Sequence, residues 1–167
     1  MLLFLDVISP IPEFSIIEEN KVILQRKIIS DESNKLSDNI FQIYMEINIK
    51  LDLAKNLQKI VITNGPGSYT SLRVGAAFVS GLKMAQTLLT YSFSVIDIIK
   101  FKSDTNNKKN ISVFISSSND QKFLCMYKKD GKIEYVKIEN NSFVLPDNIS
   151  LLYYNQEKLT LTNQKIQ

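Results

Sequence analysis

The chain of 167 residues contains no histidine and a single cysteine, Cys125. Histidine is the commonest general base near neutral pH and a leading metal ligand. Without it, and with one thiol, a zinc site, a Ser-His-Asp triad and a Cys-His pair are all excluded. Catalysis would fall to carboxylates, lysine, tyrosine or a hydroxyl. One cysteine also excludes an internal disulfide and suits a reducing compartment, with Cys125 read as a small core residue. Long hydrophobic runs are missing too. The opening Met1-Leu2-Leu3-Phe4-Leu5 is stopped by Asp6, has no basic start, and falls short of a signal peptide or membrane span. It reads as a first, buried strand, and the expected location is the cytoplasm, away from any membrane. Neither sign of charge dominates: 20 basic against 17 acidic residues leave a net charge of +3, too mild for autonomous nucleic-acid binding. The one local excess, Lys100, Lys102, Lys108 and Lys109 around Asp104, reads as a solvated linker more readily than as an RNA-facing patch.

What is present is an ordinary globular composition, 44% hydrophobic and 22% charged, in a length that holds one domain or two small ones sharing an interface. Extended segments are predicted over 2–8, 13–18 and 21–29, with Glu19-Asn20 suited to a tight hairpin. From about Ser33 the period changes: Leu36, Ile40, Ile43, Ile47 and Leu51 recur at helical spacing, with Asp38, Asn39, Gln42, Glu46 and Asn48 between them. Ser33 or Ser37 would cap this amphipathic helix. A strand over 58–63 and a second helix from Ser68 to about Leu88 follow. A strand over 92–96 and a short helix over 97–101 come next. After a polar stretch the pattern turns to β again over 111–116. Phe123, Cys125 and Tyr127 then alternate before Asp130-Gly131, with Ile133, Tyr135 and Val136 beyond, a strong hairpin signal. A last short strand is expected near 151–154, before a polar tail.

The most informative stretch is residues 65–75, Gly-Pro-Gly-Ser-Tyr-Thr-Ser-Leu-Arg-Val-Gly. The β-branched run Ile60-Val61-Ile62-Thr63 leads in and a helix rich in small residues leads out. Strand, glycine turn and helix together aim backbone N–H groups and a helix N-terminus at one spot. Gly65 and Gly67 would supply permissive backbone angles, Pro66 would stiffen the turn, and Ser68 would be the N-cap. A phosphate loop of the Walker type needs Lys then Ser or Thr after its last glycine, and Gly67 is followed by Ser68-Tyr69. A dinucleotide fingerprint needs a third glycine where Thr70 stands. Both fail on residues the chemistry requires, which leaves a tight turn without a ligand as the competing reading.

The block closely resembles the GPGSFTGLRIG motif of the TsaB family, also called YeaZ. Gly65, Pro66, Gly67, Ser68, Thr70, Leu72, Arg73 and Gly75 match, while Tyr69 and Ser71 depart from it and Val74 stands for its Ile. The likeness continues more weakly. Leu3 to Asp6 resembles the family's first strand, although Val7-Ile8-Ser9 replaces its Thr-Ser or Thr-Ala. Residues 93–99 resemble its Gly-Val-Ser-Thr-Leu block. Of its Ile-Asp-Ala-Arg stretch only Ile115 and the aromatic Phe123 survive, and Ser116 stands in place of the second-lobe aspartate. The resemblance spans residues 1–154, and the polar residues beyond are not expected to form the C-terminal helices that relatives carry.

The resemblance implies an α/β fold of the actin-like ATPase (ribonuclease H-like) type. Residues 1–102 would form the N-terminal lobe and 103–167 a partial, mostly β second lobe. The order βββαβαβα followed by a fresh sheet suits that fold. TsaB proteins are regarded as non-catalytic paralogues of the transferase TsaD in tRNA threonylcarbamoyladenosine synthesis. The implied partners are TsaD in a heterodimer, the ATPase TsaE on the pair, tRNA only indirectly, and a homodimer when alone. No cofactor, metal or catalytic residue is implied. In this chain the turn after Asp6 carries Pro10 and Pro12, which remove two backbone donors, and no glycine permits close approach of a phosphate. Asp6 therefore reads as a turn-forming residue, and ATP hydrolysis is not expected. The alternative is a degenerate or free-standing glycoprotease-like or ATPase-like enzyme of the same fold.

The second helix supplies the candidate partner-binding residues. Ala77, Gly81 and Ala85 fall on one row at i, i+4, i+8, and Ser71 with Gly75 form a similar pair. Small residues allow close backbone approach. The row would face either TsaD or the protein's own sheet. Arg73 would contact a partner or satisfy local carbonyls.

Overall fold

Leu3 and Leu5, both without exposed surface, lie in the strand at the centre of the first sheet and set its polarity. The computed structural model describes residues 1–9, 11–29, 35–94, 97, 101, 111–116, 122–127, 132–138 and 150–153. Strand β1 (Leu2–Asp6) pairs antiparallel with β2 (Glu13–Glu18), which pairs antiparallel with β3 (Lys21–Lys27). On its other side β1 runs parallel to β4 (Lys59–Thr63), and β4 runs parallel to β5 (Leu89–Phe93). The order across the sheet is β3-β2-β1-β4-β5. The β2–β3 hairpin closes on Glu19 and Asn20, both with positive φ (48° and 62°), the geometry of a two-residue turn that follows the strand twist.

Helix α1 (Leu36–Leu51) joins β3 to β4 through a single turn, α2 (Leu53–Asn56). Helix α3 (Tyr69–Ala85) joins β4 to β5. Both long helices pack on the same face of the sheet. Phe14 from β2 meets Tyr44 of α1 and Phe78 of α3, with ring centroids 6.4 and 5.6 Å away and 5.4 Å between Tyr44 and Phe78. Leu3, Leu5, Phe14, Ile16, Ile40, Ile47, Leu53 and Ile60 complete the core. Each such side chain contributes about 1.5–3 kcal/mol on full burial.

The start of α1 departs from the expected cap. Ser33 lies outside the described residues, and Ser37 is already the second helical residue, its hydroxyl donating to Asp38 at 2.8 Å. The cap position is Lys35, extended and without a side-chain cap bond. Burial of Leu36, the first core residue, fixes the start instead. The helix ends at Asp52, whose left-handed φ of 48° turns the chain while its N–H donates to Asn48 O at 2.7 Å.

The strand expected over 92–96 is observed three residues earlier, at Leu89–Phe93. Its register with β4 runs from Lys59↔Leu89 to Thr63↔Phe93. Beyond Thr63 the partner strand becomes the glycine turn, so β5 has nothing left to pair with. Ser94 then begins a reciprocal cap with Asp97. Its N–H and hydroxyl both donate to the carboxylate at 2.7 Å, while the Asp97 N–H donates back to the Ser94 hydroxyl at 3.2 Å. Of the short helix expected over 97–101, Asp97 and Phe101 are helical and the residues between lie outside the described set.

The second sheet has the order β8-β7-β6-β9, built from β6 (Ile111–Ser116), β7 (Lys122–Tyr127), β8 (Ile133–Ile138) and β9 (Ser150–Tyr153). The hairpin read from Asp130-Gly131 is present as an antiparallel β7–β8 pair with Tyr127 opposite Ile133, although the two turn residues lie outside the described set. β6 pairs antiparallel with β7 and parallel with β9. The Lys100–Lys109 cluster also lies outside the described residues.

Candidate functional site

The glycine block sits where β4 ends, against the turn that follows β1. Two buried polar side chains join these segments. The Thr63 hydroxyl accepts the Val7 N–H at 3.0 Å and lies 3.3 Å from Asp6 Oδ1, to which it donates. Asp6 Oδ1 also accepts the N–H groups of Ile8 at 2.9 Å and Ser9 at 3.2 Å. Asp6 and Thr63 are buried, with 3% and 1% exposure. Asp6 is therefore a turn-holding residue whose Oδ1 is engaged by its own loop. Pro10 lies outside the described residues, and Pro12 contributes its carbonyl to the Ile28 N–H at 2.8 Å.

Each glycine of the block answers a different demand. Gly65 has φ +110°, a backbone region that L side chains rarely adopt. Gly67 does not have a positive φ, contrary to the expected role in the turn. A Cβ there would come within 3.0 Å of Ile8, so its requirement is space. Gly75, expected on a partner-facing row with Ser71, is buried instead. A Cβ there would lie 2.8 Å from Val7 and 2.9 Å from Ile62, so the first half of α3 touches its own sheet at this point. Ser71 is half-buried and donates its N–H to the Ser68 hydroxyl at 3.4 Å, which makes Ser68 the N-cap that the sequence predicts. Leu72 packs partly into the core, and its side chain runs beneath Gly65. Thr70 is exposed. Arg73 is exposed and lies over the ring of Tyr69, 5.4 Å from its centroid, a cation–π contact along one helix turn rather than a bond to local carbonyls.

Beside the turn lies an open hollow of about 480 Å³ lined by Asn64, Gly65, Pro66, Ser94 and Tyr135. Among the described residues that line it there is no carboxylate, lysine or arginine. Asn64, one of the lining residues, donates from its side chain to the Ser92 hydroxyl at 3.1 Å. Among the described residues no group of three His, Cys, Asp or Glu side chains could hold a metal ion.

The outer surface of the two helices is a different matter. Ala77, Gly81 and Ala85 are exposed, and nothing lies within 4 Å of the Cβ position at Gly81. The later part of the small-residue row thus points away from the sheet. Met84 beside it is 91% exposed. On α1 a second row, Phe41, Met45 and Ile49, is exposed at 62%, 37% and 80%. The sequence reading missed this row because it followed only the core stripe. Its signal was an apolar i, i+4, i+8 repeat on the opposite side of the same helix. On the core side of α1, Tyr44 is buried, with the Gln86 side chain near its hydroxyl but no hydrogen bond of good geometry among the described residues. Burial pushes its phenol above the usual value near 10, and the nearby Gln86 side chain opposes part of that rise.

A family profile described as TsaD, tRNA N6-adenosine threonylcarbamoyltransferase, matches residues 23–163. The chain belongs to the TsaD family. Among solved structures it is similar to a Pseudomonas aeruginosa protein described as resembling the peptidase YEAZ. The TM-score is 0.61 and the identity 16%, over 87% of this chain and 69% of that one. YeaZ from Pseudomonas aeruginosa gives a TM-score of 0.56 at 17% identity with the same coverage. A Bacteroides thetaiotaomicron protein with an actin-like ATPase fold gives 0.50 at 10% identity, over 84% of this chain and 71% of that one. At these identities the likeness is one of fold. The chain is a TsaD-family member with the YeaZ-like, actin-like α/β architecture that the glycine block implies. No curated protein matches it in sequence. Among the described residues no helix is long and apolar enough to cross a membrane.

Proposed function

We propose that the chain is a non-catalytic subunit in tRNA threonylcarbamoyladenosine synthesis that pairs with a TsaD-type transferase through the outer face of α1 and α3. The observation that carries this reading is the exposure of Phe41, Met45 and Ile49 on α1 and of Ala77, Gly81 and Met84 on α3, two helices that pack against each other. Large apolar groups exposed in a row along a helix, on the side away from the core, suit an interaction surface. Open space above Gly81 lets a partner helix approach its backbone closely. The partner is taken to be the transferase because the chain belongs to its family and the family resemblance implies that pairing. The non-catalytic part of the reading is supported by Asp6, whose Oδ1 is engaged by the turn after β1. It is supported as well by the polar residue Ser116 at the end of β6, where the family resemblance has a carboxylate.

The test is co-expression with TsaD from the same genome, followed by measurement of the complex's mass and of modified tRNA in a reconstituted system. A one-to-one complex, with modification that requires this chain, is the expected result. Separate elution of the two proteins at all concentrations reached would refute the reading.

A further inference from the structure

Asn64 stands immediately before the glycine block, and Gly65 opens it. An asparagine followed by glycine sets an electrophile, the side-chain amide carbon, beside a backbone nitrogen that no neighbouring Cβ shields. Every other asparagine of the chain is followed by a residue that carries a side chain.

Whether such a pair reacts in a folded protein depends on how the fold holds it. The pairing of β4 ends at Thr63, opposite Phe93, so Asn64 lies past the last paired residue. Its N–H donates to Phe93 O at 2.9 Å, and its side-chain nitrogen donates to the Ser92 hydroxyl at 3.1 Å. The Gly65 N–H, which must lose its proton before the nitrogen can attack, has no hydrogen-bond partner among the described residues. A bonded N–H would first have to give up its acceptor. Gly65 is buried, with Leu72 beneath it, yet it lines the open hollow together with the exposed Asn64. Hydroxide and water therefore reach the pair from the hollow. No carboxylate among the described lining residues stands there to repel hydroxide.

The chemistry closes without a cofactor. The Gly65 nitrogen loses its proton to hydroxide and bonds to Asn64 Cγ. The Cγ–Nδ2 bond breaks, and the nitrogen takes a proton from water and departs as ammonia, leaving a cyclic succinimide. Water then opens the ring at either carbonyl, giving aspartate or isoaspartate at position 64. The net change is amide and water to acid and ammonia, with nothing oxidised or reduced.

We infer that Asn64–Gly65 is a self-modification site, where the folded chain converts its own amide to aspartate and isoaspartate with water as the only co-substrate. Both products place a carboxylate on a lining without charge among the described residues. Isoaspartate also routes the main chain through the former side chain and adds a methylene ahead of Gly65. The turn has little room for that displacement. Gly65 holds φ +110°, and a Cβ at Gly67 would come within 3.0 Å of Ile8. The site stands apart from the α1–α3 face, and its test needs the chain alone.

The purified full chain is incubated folded and, in parallel, unfolded in guanidinium, then digested with trypsin. Cleavage after Lys59 and Arg73 releases residues 60–73, in which Asn64 is the one asparagine. This peptide should gain one mass unit and separate into two products, of which an Asp-specific protease cuts only the aspartate form. The folded rate should lie within about a hundredfold of the unfolded rate, whereas reaction through global unfolding alone would be slower by about 10³–10⁸. It should rise about tenfold for each unit of pH, because the deprotonated nitrogen is the nucleophile. Asn64→Gln, whose closure needs a larger ring, should stay unmodified over the same period. Converted parent should unfold at a lower temperature than fresh parent, while incubated Asn64→Gln keeps its midpoint. A folded rate more than about a hundredfold below the unfolded one overturns the inference. So does faster conversion at another asparagine, or an equal midpoint for fresh and converted chain.

Discussion

The Cβ position of Gly75 lies 2.8 Å from Val7 Cγ1, closer than real Cβ contacts occur, so the helix after the glycine turn is seated directly on the segment after β1. Val7 is 1% exposed and its branched side chain has little freedom to move aside. Gly75→Ala should lower stability by about 1–3 kcal/mol through overpacking, more than the roughly 1 kcal/mol that helix propensity returns. Gly81→Ala in the same helix meets nothing within 4 Å and should raise stability by about 0.5–1 kcal/mol. Urea titration of the two variants checks the opposite signs. Equal effects from both would contradict the packing described.

The exposed row separates stability from association. Ala77→Phe and Gly81→Leu add volume to the open side of α3, so Ala77→Phe should cost only the roughly 0.5 kcal/mol of helix propensity, and Gly81→Leu, like Gly81→Ala, should not lower the unfolding midpoint of the isolated chain. Each should also reduce affinity for TsaD by about tenfold or more, since a close helix contact tolerates little added volume. Calorimetric titration against TsaD measures this. Normal affinity from both variants would remove α3 from the interface.

Asp6 offers a third test. Asp6→Ala leaves the N–H groups of Ile8 and Ser9 and the Thr63 hydroxyl without their acceptor in a buried site, at a cost of about 1–3 kcal/mol. Asp6→Asn keeps an acceptor oxygen and should cost roughly 1 kcal/mol or less. Both should support tRNA modification in the reconstituted system at temperatures where they remain folded. Loss of modification by folded Asp6→Asn, with its TsaD complex intact, would show that the carboxylate has a role beyond the turn.

Tyr44 makes the alkaline limb of stability informative. Its phenol is raised by burial, so the folded state holds the proton more tightly than the unfolded chain, whose value is about 10. The contribution is fully present below pH 10 and declines as pH rises beyond it, because the unfolded state then loses its proton first. Tyr44→Phe removes this dependence and deletes a buried hydroxyl that makes no hydrogen bond of good geometry. The variant should match or exceed the parent at pH 7 and fall less steeply above pH 10. Parallel slopes for the two proteins in guanidinium titrations between pH 9 and about 11 would count against this account.

Much of the architecture was legible in local pattern. The Glu19-Asn20 turn, the stripe Leu36, Ile40, Ile47 and the run Ile60 to Thr63 were readable because backbone preference and hydrophobic period act over a few residues. The β7–β8 pair was legible for the same reason. The end of β5 was not, because it depends on where β4 stops offering a partner, and that is set elsewhere in the chain. The start of α1 followed the burial of Leu36 rather than a nearby serine.

The amino-acid sequence by itself determined the order of strands and helices, the capped glycine turn and the family, all carried by short-range pattern or by one block of eleven residues. Only the tertiary structure divided that block's helix between two roles. Gly75 and Gly81 have the same chemistry and lie six residues apart on α3, yet one meets Val7 and Ile62 while the other meets open space. Sequence spacing gives their relative angle on the helix, but the direction of the sheet is decided by how the whole helix seats on β1 and β4. That seating is a sum of contacts between residues far apart in the chain, and no local pattern encodes it.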